Sequence, residues 1–226
     1  GMACKLPGAN SLQEDWENLD QGRATIIDLP EARAGNKSAY TRGGYLEDID
    51  LFDNSFFNIT TAEANFMDPQ QRMLLELSYD AIRHANYPYE SLQQSNTGVF
   101  VGISSTDYAQ FGLHSTTQDK NYFATGSALS IAANRLSYFY DLKGPSLSSD
   151  TACSSSLTAL HLAIQSIRRG ECDQALVGAT NLILDLDVSE CLNQAQMLSE
   201  SGQCKVFDAG ADGYIRGEGA VMLMLK

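Results

Sequence analysis

At 226 residues, with 43% hydrophobic and 19% charged residues, the chain suits one large globular domain or two small ones. Fifteen Lys and Arg against 28 Asp and Glu give a formal charge of −13; such a surface repels phosphate backbones and anionic lipid heads, so neither nucleic acid nor membrane is expected as a partner. No apolar run approaches the roughly 20 residues that span a bilayer, no signal-peptide plan opens the chain, and five cysteines without a Cys-x-x-Cys pair point to reduced thiols in a cytoplasmic protein, with no disulfide framework and no zinc site.

From Gly8 to Ala64 polar residues, Gly and turn signals dominate, with an aromatic cluster at Phe52, Phe56 and Phe57. This stretch is expected to be a long excursion that packs on a core formed later in the chain. The first strong helix begins at Asp68-Pro69. Asp68 can cap it, Pro69 suits the first helical position, and Gln71 can complete a capping box. Leu74, Leu75, Tyr79 and Ile82 give that helix an apolar face up to about Asn86.

Thr97 to Ile103 reads as a strand whose glycines imply close backbone approach. Ser130 to Tyr138 is helical, Gly144-Pro145 breaks the chain, and Ser146 to Thr151 is a second strand. A helix from about Ser154 to Arg169 follows, with Leu157, Leu160, Ile164 and Ile167 at helical spacing. Arg168 and Arg169 complement its dipole and Gly170 can end it. Gln174 to Gly178 and Ala220 to Leu225 are further buried strands. Strand, helix, strand with nearly unbroken apolar strands predicts a layered α/β fold. Gly1 stands before Met2 and Lys226 falls inside an apolar run, so both ends read as cuts.

The chemistry centres on Asp150-Thr-Ala-Cys-Ser-Ser-Ser-Leu157. Cys153 falls where a strand ends and a helix begins. Unpaired N–H groups and the positive end of the dipole there favour thiolate over thiol. Backbone N–H groups at the same turn can face an oxyanion, and the small residues Ala152, Ser154 and Ser155 leave room for an acyl chain. Residue type alone leaves two readings of Cys153 open, a small buried side chain and a nucleophile. The strand-to-helix position speaks for the second. No base accompanies it in sequence: His161 lies ~12 Å along the helix and reads as a packed helix residue, and His84 and His114 read as solvated. The cluster Val206 to Gly219 carries Asp208, Asp212 and Glu218 without the spacing of an EF-hand loop. It reads as a structural loop held by Arg216 pairing with a carboxylate, with Ca²⁺ binding as the alternative.

Six ordered motifs make the chain resemble the N-terminal half of type I polyketide ketosynthases, the β-ketoacyl synthases of the thiolase-like superfamily. They are Gly1 to Gly8, Gly44 to Phe57, Met67 to Glu76, Asn134 to Tyr138 with Gly144-Pro-Ser146, Asp150 to Leu157, and Leu198 to Cys204 with Phe207 to Gly219. Lys5-Leu6, Asn58 and Ala179 depart from the family pattern. The resemblance implies a thiolase-like α-β-α-β-α layered fold with only the N-terminal half and without the first strand, residues 1–226 forming one β-ketoacyl synthase N-terminal domain. It also implies an acyltransferase. An acyl group would pass from a carrier protein's phosphopantetheine to Cys153 and condense with a decarboxylated malonyl-type extender, in polyketide or fatty-acid extension. The Cys153 N–H would be one oxyanion donor, and Thr151 and Ala152 would line the pocket. No cofactor and no metal would be bound by the domain itself.

The family's two histidines, its lysine and its glycine-rich gate belong to the other half. The isolated chain is therefore expected to be acylated at best. The intact domain would be a homodimer with the Gly126 to Asp141 region near its interface, alongside other synthase domains. Lys143, Arg168 and Arg169 are candidates for docking an acidic carrier. A truncated, noncatalytic dimerisation or scaffold piece is the alternative. A thiolase is disfavoured by the Asp150 to Leu157 and Phe207 to Gly219 signatures.

Overall fold

The longest apolar stretches of the chain become strands of one mixed sheet. The protein is known here from a computed structural model, which describes residues 1–33, 42–114 and 121–226. In chain order the elements are β1 (Met2–Lys5), α1 (Leu12–Asp20), β2 (Ile27–Asp28), β3 (Arg42–Gly43), α2 (Thr61–Phe66), α3 (Pro69–His84), β4 (Thr97–Gly102), α4 (Asp107–His114), α5 (Phe123–Ser127), α6 (Leu129–Phe139), β5 (Ser146–Ser149), α7 (Ser155–Arg168), β6 (Gln174–Asn181), α8 (Asp187–Gln194) and β7 (Gly219–Leu225). The sheet order is β1-β7-β6-β4-β5, with β4 parallel to β5 and β6, and β7 antiparallel to both β6 and β1. Helices cover both faces, so the chain supplies three layers, α-β-α, of the five-layer arrangement expected.

The period-2 alternation of β4 explains how it is shared between two cores. Val99, Val101 and Ile103 join the larger cluster with Leu74, Leu75 and Ile82 of α3 and Ala132, Ala133 and Leu136 of α6. Phe100 turns the other way and packs with Ala159 and Ala163 of α7 and with Ala175 and Val177 of β6. All six β4 residues are buried, which fits a central parallel strand.

The early excursion does pack on this later core, although residues 34–41 of it lie outside the described residues. Leu46 and Phe57 are buried in the larger cluster. Phe52 and Phe57 stack at 5.3 Å, and Phe56 meets Tyr79 edge-on at 4.9 Å.

Several details differ from the sequence expectation. The opening segment, which the resemblance places after a missing first strand, is itself a strand: Met2–Lys5 pairs with Ala220–Leu223. The pairing partner lies more than 200 residues away, so no local signal announces it. Asp68 caps α3 by accepting the Gln70 N–H at 2.9 Å, but Gln71 forms no capping box. Its amide nitrogen instead donates to the carbonyl of Gly126 at 3.0 Å and its amide oxygen accepts from the Arg135 Nε at 3.1 Å, while the Asp68 N–H goes to the Gly126 carbonyl. Gly126 can approach because it has no Cβ; one there would lie 1.9 Å from the Phe66 oxygen.

The fully buried face of α7 is not the Leu/Ile row, of which Leu160 and Ile167 pack partly buried against the smaller cluster. It is the small-residue row Ser155, Ala159, Ala163 and Ser166, because the helix lies close on the sheet. Leu157 is 70% exposed. Gly170 ends the helix with φ +71°.

Candidate active site at Cys153

Cys153 lies in a turn that is over-determined by short polar side chains. The Asp150 carboxylate accepts the Ala152 N–H at 2.9 Å. The Ser155 hydroxyl accepts the Thr151 N–H at 2.9 Å and donates to the Ala152 carbonyl at 2.7 Å. The Ser154 hydroxyl donates to the Thr151 carbonyl at 2.8 Å, and the Thr151 and Thr158 hydroxyls share a hydrogen bond of 3.0 Å. These bonds hold Ala152 at φ +55°, the left-handed region that costs an L-residue roughly 1–2 kcal/mol. The strained residue just before the thiol turns the chain sharply from β5 into α7. Cys153 is thereby left exposed as a free thiol, one residue before the helix cap at Ser154.

The turn is pressed against the end of β4. A Cβ on Gly102 would lie 2.6 Å from the Ser155 carbonyl group and 2.7 Å from the Ser156 nitrogen. Gly102 therefore sets how far the start of α7 can sit from the sheet. The Cys153 N–H has no hydrogen-bond acceptor among the described residues, so this donor is available to an anionic oxygen at the helix N-terminus.

Cys153 borders a cavity of about 690 Å³. Its lining is built of small residues and backbone (Gly102, Ala152, Ala179, Gly217, Gly219), an apolar wall from Val188 and Leu192 of α8, and the Tyr214–Arg216 segment. Of Thr151 and Ala152, Ala152 borders this cavity and Thr151 is not among its lining residues. The Thr151 hydroxyl is turned into the brace with Ser154 and Thr158.

Neither His84 nor His161 is brought to the thiol in the manner of a catalytic pair. His84 ends α3 and accepts the Met2 N–H at 2.9 Å. His161 is exposed on α7 rather than packed, because its row of the helix points away from the sheet. His114 ends α4 rather than standing in a loop.

The Val206 to Gly219 loop is braced, but by other groups than Arg216 and a carboxylate. Asp212 accepts from the Ser199 hydroxyl at 2.8 Å, from the Ser201 N–H at 3.1 Å and from Lys205 at 3.1 Å. These hydrogen bonds, led by Ser199, hold its carboxyl far below the usual carboxylate range. Glu218 is fully buried. It pairs with Arg33 through a short contact and accepts the N–H groups of Leu46 and Ile183, each at 2.8 Å. Arg216 donates to the Ser189 hydroxyl of α8 at 2.6 Å. The three acidic residues thus go to separate partners, with Asp208 accepting the Gly210 N–H.

The contribution of α8 and Arg216 to the cavity goes beyond the sequence expectation. Val188 and Leu192, four residues apart, are the one signal that could have pointed to it.

Comparison with known proteins agrees with this arrangement. The family described as "Beta-ketoacyl synthase, N-terminal domain" matches residues 1–226. The chain is 44% identical over 239 residues to a phenolphthiocerol/phthiocerol polyketide synthase of Mycobacterium tuberculosis, covering all of this chain and 13% of that protein. It is 45% identical over 241 residues to a lovastatin diketide synthase of Monascus pilosus, of which it spans 9%. Among solved structures, the ketosynthase from module 6 of the bacillaene synthase of Bacillus subtilis 168 superposes with a TM-score of 0.90 at 42% identity. That match covers all of this chain and 38% of the solved one. The chain belongs to the β-ketoacyl synthase family, as an N-terminal ketosynthase domain of the polyketide-synthase type.

Proposed function

We propose that Cys153 accepts an acyl group as a thioester and hands it to a carbanion formed by decarboxylating a malonyl-type extender. The observation that carries this reading is the exposed thiol on a strained strand-to-helix turn at the edge of a 690 Å³ cavity. Covalent capture divides one difficult carbon–carbon bond formation into two easier steps. In the first, the thiolate attacks the donor thioester. The tetrahedral oxyanion is met by the Cys153 N–H at the positive end of α7, and the donor thiol leaves. In the second, loss of CO₂ from the extender leaves an enolate carbon that attacks the Cys153 thioester. The enzyme thiol is released and the chain is two carbons longer.

Both acyl groups would arrive on the phosphopantetheine of an acyl carrier protein, with this domain itself binding no cofactor. The small residues that line the cavity suit a slender arm with an acyl tip. The decarboxylating groups are proposed to come from the rest of a longer synthase, packed over the exposed side of α7, where Leu157 is 70% and Leu162 37% exposed. We also propose a homodimer. In support, Tyr138 of α6 is 88% exposed and β5 is an edge strand of the sheet. A reducing, cytoplasmic compartment fits five free cysteines, and no helix among the described residues is long and apolar enough to cross a membrane.

Labelling with a radiolabelled acyl thioester tests the nucleophile. Stoichiometric labelling of the ketosynthase is expected, with loss of essentially all of it in Cys153→Ala. Equal labelling of the variant would sink the assignment. The isolated 226-residue chain is expected to take the label at Cys153 but to form no β-ketoacyl product with a malonyl carrier. Product formation by that chain would overturn this part of the reading.

A further inference from the structure

We propose that Arg216 is an anion-recognition residue of the Cys153 cavity, binding a phosphate or carboxylate of the carrier-borne substrate. The inference rests on the reading of Cys153 given above. Arg216 lines the cavity with Cys153 and is half-buried. Its guanidinium carries five N–H donors, and the Ser189 hydroxyl at 2.6 Å is the one side-chain acceptor it meets among the described residues.

Other partly buried cations are differently employed. Arg33 pairs with Glu218, Arg135 with Glu63 and Lys5 with Glu76. Arg72 spends its donors on the carbonyls of Met67 and Asp50 and on the Tyr108 hydroxyl. Arg216 has no carboxylate within ion-pair distance among the described residues, although the chain holds 28 Asp and Glu. Its nearest acidic neighbour in sequence, Glu218, is already bound by Arg33 and two N–H groups.

A half-desolvated guanidinium with spare donors favours an anion over water, and its planar fork suits the paired oxygens of carboxylate and phosphate alike. The Ser189 contact fixes the head group through α8, so little side-chain entropy is lost when the anion binds. Two parts of the proposed substrates carry such oxygens: the phosphate of the pantetheine arm and the free carboxylate of the extender.

The test uses the intact ketosynthase and the variants Arg216→Met and Arg216→Lys, with thermal unfolding as the check on folding. Steady-state transfer to Cys153 is measured from a neutral acyl-N-acetylcysteamine thioester, from acyl-pantetheine and from acyl-phosphopantetheine. Condensation is measured with a malonyl carrier on enzyme already acylated. Arg216→Met is expected to raise the KM of an anionic substrate by about 10- to 100-fold more than that of the neutral thioester, the worth of a charge-assisted pair. Arg216→Lys is expected to restore part of it.

A rise for acyl-phosphopantetheine but not for acyl-pantetheine assigns the phosphate, and the malonyl carrier, which bears the same phosphate, then rises with it. A rise confined to the malonyl carrier assigns the carboxylate. Unchanged constants for every substrate in a folded variant would overturn the proposal, as would an equal loss on all substrates including the neutral one. The underlying reading fails separately, if Cys153→Ala is still labelled.

Discussion

At the level of single residues, the site is assembled from small polar side chains that satisfy backbone groups rather than from large catalytic ones. Asp150, Thr151, Ser154 and Ser155 all spend their oxygens on the turn that holds Ala152 and Cys153. Their sequence, Asp-Thr-Ala-Cys-Ser-Ser, signals a turn but not which group braces which. Thr151 therefore reads as a lining residue in the sequence, whereas its hydroxyl faces Thr158 in the fold.

Asp68 makes a second residue-scale point. It is 3% exposed, and burial pushes its carboxyl up to about 6, against the lowering effects of its Gln70 hydrogen bonds and of Arg72. A carboxyl raised in the folded state contributes stability that is complete below its unfolded pKa near 4 and is lost as pH rises through about 6. Asp68→Asn, which can still cap α3, should remove that dependence. Urea unfolding of the ketosynthase between about pH 4 and 7 should show the wild type losing up to roughly 3 kcal/mol more than the variant over this window. Parallel pH profiles for the two proteins would show that Asp68 ionises normally.

Among the elements, α7 carries the site and its placement is decided by what is missing from its neighbours. The helix turns Ser155, Ala159, Ala163 and Ser166 to the sheet, and Gly102 of β4 admits its first turn. Large apolar residues at helical spacing point to Leu157, Leu160, Ile164 and Ile167 instead. That rule assumes that the most hydrophobic face is buried within the chain itself. Here close approach of backbone to backbone decided the face, and the larger side chains remain at the edges or in the open. Gly102→Ala should push the start of α7 outward, because its Cβ would fall 2.6 Å from the Ser155 backbone, which has no flexible end to swing aside. The expected result is a roughly 10- to 100-fold slower acylation of Cys153, from a turn displaced by about 1 Å, with secondary structure by circular dichroism retained. Unaltered acylation would mean that the turn and sheet separate without consequence. The same logic explains Gln71. A capping box is a local option, but the carbonyl of Gly126, 55 residues on, offers the amide a buried acceptor at 3.0 Å.

Taken as a whole molecule, the chain has a chemical end and a far end. Gly102 and Cys153 mark the first. The second holds Lys143, whose N–H bonds the Ser95 carbonyl just before β4, and Arg168 at the last turn of α7. About fifteen residues of mostly helical chain put Arg168 roughly 20 Å from Cys153. Lys143 is also neutralised by Asp141 at 2.7 Å, and Arg169 lies 4.0 Å from Glu171. Partly neutralised in this way, these charges are expected to contribute little to docking the proposed acidic carrier. Reversing both charges with Arg168→Glu and Arg169→Glu should leave the KM for a carrier-borne acyl group within about twofold in the intact ketosynthase, since exposed charges beyond a Debye length are largely screened. A tenfold rise would restore them as the docking site.

The sequence by itself determined the family, the layered α/β plan, the order of the central strands along the chain and the position of Cys153 at a strand-to-helix turn. All of these follow from local pattern: apolar runs, a proline-led cap, glycine breaks and six ordered motifs. Only the tertiary structure decided that Met2–Lys5 completes the sheet against β7, that α7 buries its small face, that Glu218 is clamped by Arg33 and that Arg216 is left with spare donors in the cavity. Each of these is a contact between residues far apart in the chain, where burial and the competition for hydrogen-bond partners set the outcome. None is written in the spacing of neighbours.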